Sequence, residues 1–273
     1  MTTRADLNWD DALEVALSAA VEAGAVLDRF AAQAGARPDF DADQTWTKSS
    51  ARDLATAADV AAERVVVERL RDAYPDVAIE AEEETSDSIA PGLRWFIDPL
   101  DGTINFVHGL PMYAVSIALY DDATPLLGVV HLPRLGETFH ALAGRGAYLG
   151  SSRLTVSTAT ELSDAVLATG FPYRRGELKA DNRSNFDNLF YDIRGIRRMG
   201  SAAVDLAYVA AGRLDGFWEL HLSPFDLAAG ALLVREAGGV VTDADGGEDW
   251  LRGGHIVAAN QPLHAALRPR IEH

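Results

Sequence analysis

The chain reads as an α+β protein built in layers. Two amphipathic helices come first, a run of consecutive antiparallel strands follows, and helices mix with strands after about residue 150. The regular βαβ alternation of a doubly wound parallel sheet is not in the pattern. With 273 residues and 48% hydrophobic composition, the chain has ample material for a packed core. It is taken as a single unit over 1–273, with an N-terminal half over about 1–150 and a C-terminal half over about 151–273. No internal repeat or low-complexity tract breaks it.

Each element has a local reason. Residues 10–31 place Leu13, Ala16, Leu17, Ala20, Gly24, Leu27 and Phe30 at helical spacing with one buried face. Residues 32–47, with Gly35, Pro38 and several aspartates, predict a loop. Thr56-Ala57-Ala58-Asp59 has the form of a capping box, and the helix that follows runs to about Tyr74, before Pro75. A short strand at 77–80 runs into Glu82-Glu83-Glu84, and Pro91-Gly92 leads to a central strand at 93–98. Strands at 114–120, 126–132 and 137–142 follow, separated by Asp-Asp, Pro and Gly signals. The second half begins near Leu154. It has strands near 165–169, 193–198, 216–220, 239–242 and 255–259 and helices at 201–212 and 224–237. Ser223 caps the last of these helices, Pro224 stands at its first position, and Gly238-Gly239 stops it. Residues 174–190, rich in Arg, Asp and Asn, read as an exposed segment.

Composition narrows the function. The net charge of −17 argues against non-specific nucleic-acid binding. It also poses a problem for any anionic substrate, for which bound cations are the remedy. No cysteine is present, so thiolate chemistry and disulfides are excluded. No apolar run is long enough to span a membrane, and the N-terminus lacks the apolar core of a signal peptide, so a cytoplasmic location is expected. Gly144-Arg145-Gly146 reads as a turn, the seven histidines as scattered residues, and Arg197-Arg198 as too short a basic patch for nucleic acid.

The chemistry gathers at Trp95-Phe96-Ile97-Asp98-Pro99-Leu100-Asp101-Gly102-Thr103-Ile104-Asn105-Phe106. Proline disfavours the α conformation in the residue before it, so Asp98 should close the strand extended. The chain then turns at Asp101-Gly102 and a short helix can start at Thr103. Unpaired amides at such a start suit an anion, and two carboxylates beside them suit a hard cation. Taken alone, the same residues also fit an ordinary Asp-Gly turn. Asp226, three after Ser223, fits both a capping box and a cation ligand. Glu82 and Glu83 add a third acidic cluster after a strand.

Those motifs resemble the inositol monophosphatase family. Residues 95–106 look like its first signature; Glu219 and Phe225-Asp226-x-Ala228-Ala229-Gly230, with Glu236-Ala237-Gly238-Gly239, are similar to its second. Asp59 before a helix and the following Glu-Glu pair come in the family's order, so the resemblance covers roughly 12–262. It implies the layered αβαβα sandwich of the inositol monophosphatase and fructose-1,6-bisphosphatase type. It also implies hydrolysis of a phosphate monoester that depends on two or three Mg²⁺ ions and is sensitive to lithium.

By position, Glu82, Asp98 and the Leu100 carbonyl would hold one metal, and Asp98, Asp101 and Asp226 a second; a third would use Glu82 and water. Thr103, backed by Asp59 or Glu82, would orient a metal-activated water for in-line attack, with the Gly102 and Thr103 amides on the phosphate. Glu83 would support the site from behind. Asp101, Asp226, Glu219 and the Ala202 amide would contact the substrate; Lys48 would either approach the phosphate or stand as an ordinary surface lysine. Phe225 stands where the family has Trp, which keeps an aromatic wall and removes an N–H donor.

Inositol 1-phosphate is the expected substrate, a small phosphorylated polyol. Histidinol phosphate, fructose 1,6-bisphosphate and 3′-phosphoadenosine 5′-phosphate are alternatives within the family. A haloacid-dehalogenase-type phosphatase fits less well, because its second Asp lies two residues after the nucleophile, whereas here the gap is three and holds Pro99. The resemblance further implies a homodimer. A regulatory or binding role with transcription or RNA machinery is the alternative of a different class.

Overall fold

The computed structural model describes residues 4, 7–34, 45–47, 54–88 and 90–273; Lys48 lies outside them. The helix α1 (Trp9–Ala34) precedes two short strands, β1 (Thr45–Thr47) and β2 (Leu54–Thr56), which pair antiparallel. The C-terminal end of the expected loop over 32–47 is therefore a strand. The helix α2 (Ala57–Ala73) starts as its capping box predicts. The Thr56 N–H donates to Asp59 Oδ2 at 2.8 Å and the Ala58 N–H to Thr56 Oγ1 at 3.1 Å.

The first sheet contains β3 (Ala78–Ala81), β4 (Leu93–Asp101), β5 (Ala114–Asp121), β6 (Thr124–Leu132), β7 (Glu137–Leu142), β8 (Gly146–Leu149) and β9 (Ser152–Arg153), hydrogen-bonded in that order. A short helix, α3 (Thr103–Val107), interrupts the chain between β4 and β5. The strands from β4 onward are antiparallel, as predicted. The exception is β3, which runs parallel to β4. Gly144-Arg145-Gly146 is the turn between β7 and β8.

The rest of the chain supplies β10 (Val166–Thr169), α4 (Arg183–Leu189), β11 (Gly195–Arg197), α5 (Ala202–Ala210), β12 (Gly216–Glu219), α6 (Pro224–Glu236), β13 (Val240–Thr242), α7 (Trp250–Gly253), β14 (Ile256–Ala259) and α8 (Gln261–Leu267). Its strands form a second sheet of order β11-β10-β12-β14-β13.

These elements stack in five layers. Trp95, Ile97 and Ile117 on one face of the first sheet pack with α1 and α2. Phe96, Ala118 and Tyr120 on the other face pack with α5 and α6, which also meet Phe217 and Ala258 of the second sheet. The far face of that sheet, with Trp218 and Val257, is covered by Leu189 of α4 and Leu263 of α8. The order is the predicted αβαβα sandwich. Because both faces of the first sheet are covered, β4 is buried at every position from Leu93 to Leu100, Arg94 and Asp98 included, with no alternation of buried and exposed residues. The middle layer explains α6, where Leu227 through Val234 are all buried: a helix held between two sheets has no solvent face.

A further prediction needs correction. The segment 174–190 is not simply an exposed stretch. It contains α4, and Asn182 is fully buried: its amide donates to Thr169 Oγ1 at 2.8 Å and to the Gly170 carbonyl at 2.6 Å, and accepts from Trp218 Nε1 at 2.8 Å. Its polar composition hid a hydrogen-bonded anchor.

Candidate active site

The strand β4 does not stop at Asp98. Pro99 has no N–H to give the ladder, so the β4–β5 pairing shifts register between Asp98 and Asp101 and the strand resumes at Asp101. The shift lets the Leu100 amide donate to Asp98 Oδ1 at 2.9 Å. Gly102 then turns the chain with φ +103°, where a Cβ would come within 3.0 Å of the Met112 carbonyl oxygen, and α3 begins at Thr103. The Thr103 hydroxyl lies 3.1 Å from Asp59 Oδ1 and 3.2 Å from the Leu100 carbonyl oxygen.

Asp98, Asp101 and Asp226 each turn one oxygen inward, and these atoms lie within 4.8 Å of one another. Asp226 arrives on the first turn of α6, where its Oδ2 accepts the Ser223 N–H at 2.7 Å. The capping-box reading and the ligand reading of Asp226 are therefore compatible. A bond from the Tyr120 hydroxyl to the Ala228 carbonyl, at 2.8 Å, ties the same turn to the first sheet.

Burial raises the pKa of all three carboxyls. Asp98 is also pushed up by Glu82, Asp101 and Asp226. For Asp101 the Ala203 amide and the Ser201 hydroxyl oppose burial, and it rests at about 6. Closely held, buried oxygen donors that repel one another form a set that a hard divalent cation would relieve.

The cluster forms one wall of a cavity of about 350 Å³. Glu82, Leu100, Gly102 and Thr103 share that wall; Ala202, Glu219, Phe225 and Tyr173 stand around it. The two halves of the chain are joined at Asp101, whose Oδ2 accepts from Ser201 Oγ at 2.7 Å and from the Ala203 amide at 2.6 Å. Glu219 ends β12, and its carboxyl occupies the space beside Gly170. A Cβ on Gly170 would sit 2.1 Å from its oxygens. Burial lifts Glu219 to about 8, with Arg198 pulling down and Asp101 up. At neutral pH it therefore keeps its proton and can both donate to and accept from a hydroxyl.

The structure thus brings Glu82, Asp98, Leu100, Asp101, Gly102, Thr103, Ala202, Glu219 and Asp226 into one cavity, with Asp59 directly behind Thr103. Glu83 is not among the lining residues, and its backbone amide donates to Glu63. Sequence reasoning missed Arg198, which lines the cavity, and Tyr173 on the rim. It also missed Asp205, buried on α5 beneath Glu219 and Asp101 and raised well above the usual carboxylate range, by burial first and by those two acids next. The histidines are not all scattered: His221, His255 and His273 lie in a row with ring centroids 4.8 Å apart at each step, the first pair edge to face and the second tilted. Three such distant positions carry no common sequence signal.

The model of the inositol monophosphatase family matches residues 8–273. The chain belongs to the inositol monophosphatase family. Among its relatives, an inositol-1-monophosphatase of Mesorhizobium japonicum is 42% identical over 265 residues, covering 93% of this chain and 94% of that one. A protein named Nus factor SuhB from Pseudomonas aeruginosa is 48% identical over 233 residues, 82% of this chain and 85% of that one. The solved inositol monophosphatase of Anabaena superposes with a TM-score of 0.85 at 38% identity, covering 97% and 96%. As a member of this phosphatase family, the chain is an enzyme that hydrolyses phosphate monoesters. Among the described residues no helix is long and apolar enough to cross a membrane.

Proposed function

We propose that the chain is a Mg²⁺-dependent, lithium-sensitive inositol-1-phosphatase. The observation that carries the reading is the convergence of Asp98, Asp101 and Asp226 beside a threonine backed by a buried aspartate. Glu82, Asp98 and the Leu100 carbonyl would hold one cation, and Asp98, Asp101 and Asp226 a second; Glu82 would also serve a third. All are hard oxygen donors, which suits Mg²⁺. When bound, the cations supply the positive charge that draws an anionic phosphate to an acidic wall and stabilises both ends of an in-line displacement.

The chain's own groups do the rest. Thr103 Oγ1 accepts a hydrogen bond from the attacking water while its own proton points to Asp59, so that Asp59 can take up the proton through the hydroxyl. The Gly102 and Thr103 amides face the phosphate oxygens at the turn. Asp226 and Asp101 also meet the substrate beside the phosphate, and the Ala202 amide and Glu219 address its hydroxyls. A protonated Glu219 in a cavity that Phe225 also lines suits a polyol, whose adjacent hydroxyls offer both donors and acceptors.

A phosphate-release screen with Mg²⁺ over inositol 1-phosphate, histidinol phosphate, fructose 1,6-bisphosphate and 3′-phosphoadenosine 5′-phosphate tests the substrate. Preference for any of the last three overturns it and leaves the reaction class standing. A cytoplasmic homodimer completes the proposal, with size-exclusion chromatography coupled to light scattering as its test.

The name Nus factor, carried by the Pseudomonas relative and others, favours a second reading in which the chain also has a regulatory or binding role. Such a role would survive Asp98→Asn, whereas phosphate release would not.

A further inference from the structure

Glu63 lies on α2 one turn after Asp59, and only 1% of it is exposed. A buried carboxylate is costly without partners. Here the partners are backbone amides. Glu83 N–H donates to Oε2 at 2.7 Å, and Glu84 N–H and Thr85 N–H donate to Oε1 at 2.9 and 2.8 Å. Three successive N–H groups converging on one carboxylate form an anion nest whose anion is part of the protein.

The nest belongs to the loop that carries Glu82. On one side of that residue, the Glu82 amide donates to the Ile97 carbonyl of β4 at 3.1 Å. On the other side, the amides of 83–85 are held by Glu63, and the turn is closed by Ala81 N–H to the Thr85 carbonyl at 2.8 Å. The Glu82 backbone is thus fixed between β4 and α2, and its side chain lines the cavity. Four residues earlier, on the same face of α2, Asp59 holds Thr103. One helix therefore holds two parts of the cavity wall at a fixed spacing: Thr103 through Asp59, and the Glu82 loop through Glu63.

We propose that Glu63 is a positioning residue that sets Glu82 in register with Asp98 and Thr103, and so tunes the cation affinity of the site. The inference rests on the metal-dependent reading above. Glu63 touches neither cation nor substrate and acts only through the loop.

Glu63→Gln tests it. The shape is kept, but an NH₂ group now faces at least one amide donor, so the loop must give at one of 83–85. Mn²⁺ and Mg²⁺ binding is measured by calorimetry on the wild type, Glu63→Gln and Asp98→Asn, with amide exchange at 83–85 and the Mg²⁺ dependence of phosphate release. The expected result is roughly tenfold or more weaker binding, the range found when a partner behind a metal ligand is removed. Exchange at 83–85 should be faster, and turnover should recover towards wild type at saturating Mg²⁺.

Wild-type binding and half-activation in the variant, with faster exchange, would overturn the inference and leave Glu63 a structural residue. No binding by the wild type itself would overturn the metal reading instead. Should Glu63→Gln not fold, Glu63→Asp keeps the charge and withdraws it by one methylene. It should bind more weakly than wild type, and an unchanged affinity there overturns the inference equally.

Discussion

Replacing Glu219 by glutamine tests whether burial keeps this carboxyl protonated at neutral pH. Glu219 is 8% exposed, and burial lifts it from an ordinary 4.5 to about 8. Between these values the folded chain holds a proton that the unfolded chain has lost. Stability therefore falls as the pH rises through that window; the loss is absent below 4.5 and complete above 8. At ~1.4 kcal/mol per pH unit, the loss is under about 1 kcal/mol near pH 5, about 3 at pH 7 and about 5 above pH 8. Glutamine has the same shape and never ionises, so the variant escapes the loss. Denaturant unfolding of the metal-free proteins at about pH 5 and about pH 8.5 measures the difference. The two proteins should nearly coincide at the lower pH. At the higher pH the variant should be the more stable by several kcal/mol, although its turnover of inositol 1-phosphate falls. An equal offset at both pH values, or a less stable variant at the higher one, would refute the reasoning.

Chelation with EDTA should bring phosphate release to background and added Mg²⁺ should restore it; full turnover in chelator would end the metal assignment. Asp98→Asn should also abolish release, yet melt at a higher temperature than wild type in EDTA at neutral pH. It removes a buried acid that burial, Glu82, Asp101 and Asp226 all push away from ionisation; a lower melting temperature would contradict this. Gly170→Ala places a methyl 2.1 Å from the Glu219 oxygens. The displaced carboxyl should raise KM for inositol 1-phosphate by roughly tenfold to a hundredfold, with little effect on p-nitrophenyl phosphate, and equal losses on both substrates would count against a polyol contact. Tyr120→Phe removes the bond to the Ala228 carbonyl and should cost about 1 kcal/mol in denaturant unfolding, whereas an unchanged midpoint would show that the bond adds nothing.

Much of the fold was legible because its signals are local. The capping box at Thr56 and Asp59, Pro224 at a helix start and the turn at Gly102 into the helix at Thr103 are each decided by a few neighbouring atoms. The burial of Asn182 was not legible, since its partners Thr169, Gly170 and Trp218 lie in other elements and a polar segment otherwise reads as solvated. Glu63 hid for a related reason. An acid on an amphipathic helix looks like part of the wet face until three amides of a distant loop are found around it.

The sequence by itself determined the layers, the order of the acids and the family, because periodicity, turn chemistry and a twelve-residue motif are properties of neighbours along the chain. Tertiary structure alone decided that Asp226 joins Asp98 and Asp101 within 4.8 Å, that Arg198 and Glu219 line one cavity, and that burial holds Glu219 near 8. Distance between remote residues and exclusion of water arise only when the two sheets close on α5 and α6, and those two quantities set the charge of the site.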